Sequence, residues 1–137
     1  MTQPLYDSLR GNWSINRVID DRRAQQKGKF VGVASFCGQA GTLLYTEEGE
    51  LDLGGAKMRA SRRYQWSFQG LTVSVAYADG QPFHEFDLSG NTATASHLCG
   101  DDTYYGEYAF YLPDQWQVIW TVSGPRKDYT SKTLYGR

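Results

Sequence analysis

Nine connections of three to five residues punctuate this 137-residue chain, and their shortness restricts its fold more than any other feature. They are CGQAG (37–41), EEG (47–49), LGG (53–55), FQG (68–70), ADGQ (78–81), LSGN (88–91), CGDD (99–102), LPDQ (112–115) and SGPRK (123–127). Most carry Gly, Asn or Asp, the residues that tolerate positive φ in tight turns. A parallel crossover needs a dozen or more residues, which none of these connections offers, so successive strands must pair as antiparallel hairpins.

Between the connections the side chains alternate with period two. This pattern predicts strands over 11–20, 29–37, 42–48, 50–53, 56–68, 71–77, 83–88, 92–99, 103–111, 115–122 and 128–135, preceded by one helical turn over Pro4–Leu9 with Leu5, Tyr6 and Leu9 on its apolar side. A meander of this length leaves two open edges unless it closes on itself. The expected fold is all-β: a single antiparallel up-and-down β-barrel of about 8–10 strands, with one domain over residues 1–137. A two-sheet sandwich is the alternative. Composition agrees, with ten Tyr, four Trp and 15 Gly among the residues and a length suited to one core.

Charge excludes some partners. Fourteen basic and 15 acidic residues leave a net charge of −1, which gives no basic face for nucleic acid. No apolar stretch approaches membrane-spanning length and the first residues lack a signal-peptide core, so no membrane association and a cytoplasmic location are expected. Cys37 and Cys99 then read as reduced thiols.

The strand faces pose a question of charge. On the first strand Trp13, Ile15, Arg17 and Ile19 share one side, so an arginine points where a tryptophan points. On 56–68 the shared face is Met58, Ala60, Arg62, Tyr64, Trp66 and Phe68, again with one arginine. Trp116, Val118, Trp120 and Val122 form an apolar face, and Ala93, Ala95, His97 and Cys99 align. His84 and Phe86 face opposite to Phe83, Glu85 and Asp87, with the inward side open. For 103–111 the inward side, Tyr104 or Tyr105, is likewise open. Two buried guanidinium groups need partners, because an unpaired internal charge is costly. Either an internal carboxylate, with Glu47 and Asp102 as candidates, neutralises them or an anionic ligand does.

Two resemblances extend this reading. GNW at 11–13 together with Arg137 resembles the calycin pattern of lipocalins and fatty-acid-binding proteins, which implies that Trp13 plugs one barrel end and Arg137 packs over its ring. GNWSINRVI, YTEEGEL, RASRRYQW, FHEFDL, ASHLCGDDTYYGEY and WTVSGPRKDY with the final YGR make the chain similar to the domain-of-unknown-function family 6314. That resemblance implies a small calycin-like barrel and carries no established activity.

The candidate ligand-binding residues are Arg17, Arg62, Tyr64, Trp66, His84, His97, Trp116 and Trp120. Arg17, Arg62 and Tyr64 suit a carboxylate or phosphate, with an internal Arg–Glu47 ion pair as the alternative. The tryptophans would supply apolar contact, and His84 and His97 further polar contacts. A His-x-Cys pair at 97 and 99 is too sparse for a zinc site and reads as a satisfied histidine beside a buried thiol, so no metal or cofactor is expected. GPRKDY reads as a hairpin turn with Asp128 paired to a neighbour, and CGDD as a turn whose Asp101 or Asp102 caps backbone amides. The expected function is binding of a small anionic or amphipathic molecule. The alternatives are a cavity enzyme (isomerase, cyclase or hydrolase) using His84 or His97, and a haem- or metal-binding barrel. Catalytic residues and oligomeric state are not legible.

Overall fold

Every connection quoted above except EEG becomes a turn in the computed structural model, which describes residues 2–137. One helix, α1 (Gln3–Leu9), precedes ten strands: β1 (Gly11–Asp21), β2 (Gln26–Gln39), β3 (Thr42–Leu53), β4 (Ala56–Gln69), β5 (Thr72–Tyr77), β6 (Pro82–Asp87), β7 (Thr92–Cys99), β8 (Asp102–Tyr111), β9 (Gln115–Gly124) and β10 (Lys127–Gly136). The expected break at EEG is absent. Glu47, Glu48 and Gly49 pair in register with Ala34, Val33 and Gly32 of β2, so 42–48 and 50–53 form one strand. The period-two reading continues through Gly49, which simply lacks a side chain on the inward face.

All strands belong to one antiparallel sheet ordered β6-β5-β4-β3-β2-β1-β10-β9-β8-β7. The first and last strands pair, from Ser14↔Gly136 to Asp21↔Tyr129, and this curls the meander into a nearly closed up-and-down barrel. The two ends of the ladder, β6 and β7, meet at a seam where the isolated bridge Ser89↔Thr92 sits in their turn. The sandwich alternative is thereby set aside. Among the described residues no helix is long and apolar enough to cross a membrane.

One end of the barrel is plugged. A seven-residue helix cannot stand alone in water, and α1 is held by burying Leu5, Tyr6 and Leu9. The Thr2 N–H also donates to the Gly70 carbonyl at 2.9 Å, and Tyr6 meets Phe68 edge to face. Beneath the plug the core is a continuous aromatic packing. Trp116 lies flat on Tyr135, centroids 3.7 Å apart, and touches Trp13, Phe36 and Trp66 at steeper angles. Inward positions on β1 come out as read: Trp13, Ile15 and Arg17 are buried.

Candidate functional site

Toward the other end the aromatic packing opens into a cavity of about 260 Å³, roughly nine times the ~30 Å³ a water occupies in the liquid. That is room for a compact molecule. Of the residues expected from the sequence, Arg17, Arg62, Tyr64, Trp66, His84, Trp116 and Trp120 all line it. His97 does not. It lies near the end of β7, half-buried, with its ring edge-on to Phe83, and so outside the set of residues that line the hollow.

Arg17 answers the question its strand posed. Its Nη1 and Nη2 donate to Glu47 Oε2 and Oε1, both at 2.8 Å, and its Nε donates to Thr133 Oγ1 at 2.7 Å. The pair is deeply buried, with 7% and 2% of the two side chains exposed. Burial works against both charges, but each partner outweighs it. Glu47 holds the guanidinium firmly protonated, and Arg17, helped by Arg62, holds the Glu47 carboxyl below its ordinary value. Tyr45 adds a short bond at 2.5 Å to Glu47 and a second hydroxyl contact to Tyr135 at 2.8 Å. Since Tyr45 donates to the carboxylate, Tyr135 donates to Tyr45. The guanidinium also covers the Phe30 ring at 5.0 Å. Of the two readings open in the sequence, the structure places Arg17 in the internal pair with Glu47. Asp102, the other carboxylate considered, is corrected: it stands at the β7–β8 turn, 3.3 Å from Lys127, because that turn lies on the rim and not inside.

Arg62 is differently placed. Its Nε lies 3.4 Å from Glu47 Oε2 and its Nη1 3.4 Å from the Tyr64 hydroxyl, both at the long end of useful contact. Although crowded by protein atoms, its side chain is 53% exposed, so solvent screens its attraction to Glu47. With one carboxylate shared between two arginines, the polar part of the cavity keeps one uncompensated positive charge.

His84 reaches the cavity through an irregularity. Val75 pairs with His84 but Ala76 pairs with Pro82, so Phe83 is an extra residue on β6 and both neighbours turn inward, as a bulge allows. The sequence placed Phe83 on the face opposite His84; the bulge overrides that alternation. Phe83 stacks on Tyr77 and Trp120, forming an aromatic slab in the wall. His84 Nε2 meets the Tyr108 hydroxyl at 2.8 Å, while its Nδ1 has no partner among protein atoms. Burial, with the charge of His97 adding, pushes the imidazole down to about 3. His84 is therefore neutral at pH 7.

On β8 the inward face is Tyr104, Gly106, Tyr108 and Phe110, which settles the open choice between Tyr104 and Tyr105. Gly106 lets Trp120 lie across the wall, since a Cβ there would stand 2.7 Å from the indole ring. Tyr45, Tyr77, Phe83, Tyr104, Tyr108, Tyr129 and Tyr135 also line the cavity, and sequence reasoning did not single them out. For all of these but Phe83, period-two alternation with the inward positions of their own strands was the available signal. Cys99 is exposed, as is Cys37, and both are free; the expected burial of Cys99 fails because β7 ends there, on the rim. CGDD is a turn, as read, but the capping role expected for it is corrected, since Asp102 takes Lys127 in place of a backbone amide. In GPRKDY, Asp128 pairs with Arg22 at 2.9 Å.

Fold and cavity together define a small antiparallel barrel, plugged at one end and hollow toward the other. Within that class the chain belongs to the family of unknown function DUF6314, whose model matches residues 9–137. No curated protein matches the sequence. Among solved structures it is similar to the S-type phycobiliprotein lyase CPES from Guillardia theta, at 11% identity over 99% of this chain and 92% of that one, with a TM-score of 0.75. It is also similar to a protein of unknown function from the DUF3598 family of Nostoc punctiforme, at 14% identity and TM-score 0.61, covering 94% of this chain and 46% of that one. A third similar structure is EF1p2_mFAP2b bound to DFHBI, at 11% identity over 96% and 95% of the chains and TM-score 0.52. At these identities the likeness is one of fold.

Proposed function

We propose that this protein binds one small amphipathic anion in the barrel cavity. The observation that carries the reading is the unequal engagement of the two arginines. Arg17 is occupied by Glu47 and Thr133, whereas Arg62 holds two long contacts and faces the cavity. Arg62 and Tyr64 are then the groups that meet the ligand's carboxylate, sulfonate or phosphate. Trp66, Phe83, Trp116 and Trp120 receive its apolar, flat body. His84 and Tyr108 offer a neutral hydrogen-bonding pair farther along the wall. Arg17 serves as the support that keeps Glu47 charged and fixed beside Arg62.

Two further points belong to the same proposal. The barrel closure, with the Arg137 guanidinium 3.8 Å over the Trp13 ring, favours placing this chain among calycin-like barrels as a single domain. The two exposed free thiols suit a reducing compartment such as the cytoplasm. That the phycobiliprotein lyase and the DFHBI-bound barrel share the fold is consistent with a ligand-holding role.

Native mass spectrometry of freshly purified protein tests the reading. The expected result is a one-to-one adduct of an acidic small molecule, diminished in Arg62→Met. Barrels free of any adduct in every preparation, and unable to take up an added aromatic carboxylate, would count against it.

A further inference from the structure

A strip of sheet edge outside the cavity makes its own demand. β4 is 14 residues long, but β5 pairs only with its second half, from Tyr64↔Tyr77 to Gln69↔Thr72. Residues 56–63 thus have β3 on one side and no strand on the other. The two-residue turn Gly54–Gly55, at φ +59° and +94°, makes Leu53↔Ala56 the hydrogen-bonded pair that closes the hairpin. Antiparallel alternation then gives the ladder bonds with β3 to Ala56, Met58, Ala60 and Arg62. The N–H and C=O groups of Lys57, Arg59, Ser61 and Arg63 are left pointing along the open edge. No turn or loop backbone hydrogen bond among the described residues covers them.

An edge this long is a template for strand pairing unless something guards or fills it. Charge decides what can fill it. Residues 56–63 carry Lys57, Arg59, Arg62 and Arg63 and no carboxylate. Lys57, Arg59 and Arg63 are exposed, and none forms an ion pair with a described carboxylate. Asp52 and Glu50 of β3 stand opposite Lys57 and Arg59, but on the side away from the open edge. A second copy of this chain, pairing edge to edge, would set cations against cations, an unfavourable cross-strand arrangement. An acidic strand would instead complete an alternation of acidic, basic and acidic rows across the outer face.

We propose that residues 57–63 of β4 are a docking edge for an extended acidic peptide segment, which joins the sheet as an added strand. Main-chain bonds from Lys57, Arg59, Ser61 and Arg63 would hold it, and its carboxylates would face the Lys57, Arg59 and Arg63 side chains.

The test uses the full chain and a fluorescent eight-residue peptide with Glu at alternate positions and Val or Thr between. Fluorescence anisotropy is expected to show one-to-one binding, absent for the peptide with Lys in place of Glu. Ser61→Pro removes an edge N–H without touching the β3 ladder and should weaken binding at least tenfold while leaving every charge in place. The triple variant Lys57→Glu/Arg59→Glu/Arg63→Glu should weaken it as much. On the unaltered chain, peptide addition should slow amide exchange at Lys57, Arg59, Ser61 and Arg63, which decides the matter even if Ser61→Pro fails to fold. Binding that survives Ser61→Pro with those amides unprotected would overturn the proposal by reducing the edge to an unspecific cationic strip. So would an absence of peptide binding, or a concentration-dependent dimer formed through this edge.

Discussion

Glu47 receives both terminal nitrogens of Arg17 at 2.8 Å within the barrel, and this buried fork joins β1 to β3 across β2. A buried ion pair adds little net stability over apolar packing, but removing one partner strands the other's charge. Glu47→Gln is therefore expected to destabilise the fold by about 3–5 kcal/mol, measured as a shift of the denaturant midpoint. The double variant Arg17→Met/Glu47→Leu should cost far less than the sum of the single changes. Near-additive losses would show that the two residues do not act as a pair.

His84 makes stability depend on pH in a stated direction. Its folded-state pKa of about 3 lies below the ordinary 6.5, so the unfolded chain binds the extra proton first. The stabilisation is complete above about pH 6.5 and declines as pH falls toward 3, at a limiting slope of about 1.4 kcal/mol per pH unit. His84→Gln cannot titrate and should flatten the difference between pH 6.5 and 4 in denaturant titrations. Parallel curves for the two proteins would place the pH dependence in the carboxylates alone.

The plugged end rests on the last residue of the chain. Arg137 covers the Trp13 ring at 3.8 Å and donates to the carbonyls of Pro113, Arg10 and Ser8. Arg137→Leu should lower stability by about 2 kcal/mol, the combined scale of a cation–π contact and charged hydrogen bonds. Amide exchange in α1 should accelerate with it. Arg137→Lys should recover only part of the loss, since a point charge cannot bridge three carbonyls from one plane.

Both thiols lie on the outside, so a thiol-specific reagent should titrate two groups per native chain without denaturant. One reacting group would mean that Cys37 or Cys99 is covered in solution.

The residues that could be read in advance were those whose placement follows from alternation. Arg17, Arg62, Tyr64, Trp66, Trp116 and Trp120 face inward because period two carries through their strands, and Trp13 meets Arg137 as the calycin resemblance implied. What escaped depended on events that no single strand encodes. Phe83 turns inward through a bulge set by pairing with β5. Cys99 and Asp102 sit on the rim because of where strands β7 and β8 end, which pattern alone places only loosely. That Arg17 rather than Arg62 takes the buried fork with Glu47 follows from depth within the barrel, which emerges only once the strands are staggered.

Calorimetric titration of 2-naphthoate against the uncharged, similarly shaped 2-naphthamide, with the unaltered chain and Arg62→Met, probes the uncompensated charge at the cavity most directly. Arg62 is half exposed and weakly engaged, so the variant should fold with stability changed by no more than about 1 kcal/mol. The carboxylate should bind the unaltered chain at least tenfold more tightly than the amide, about 1.4 kcal/mol, and that preference should vanish in Arg62→Met. Equal affinities for the two compounds, or a preference that persists without Arg62, would contradict an anion site at this guanidinium.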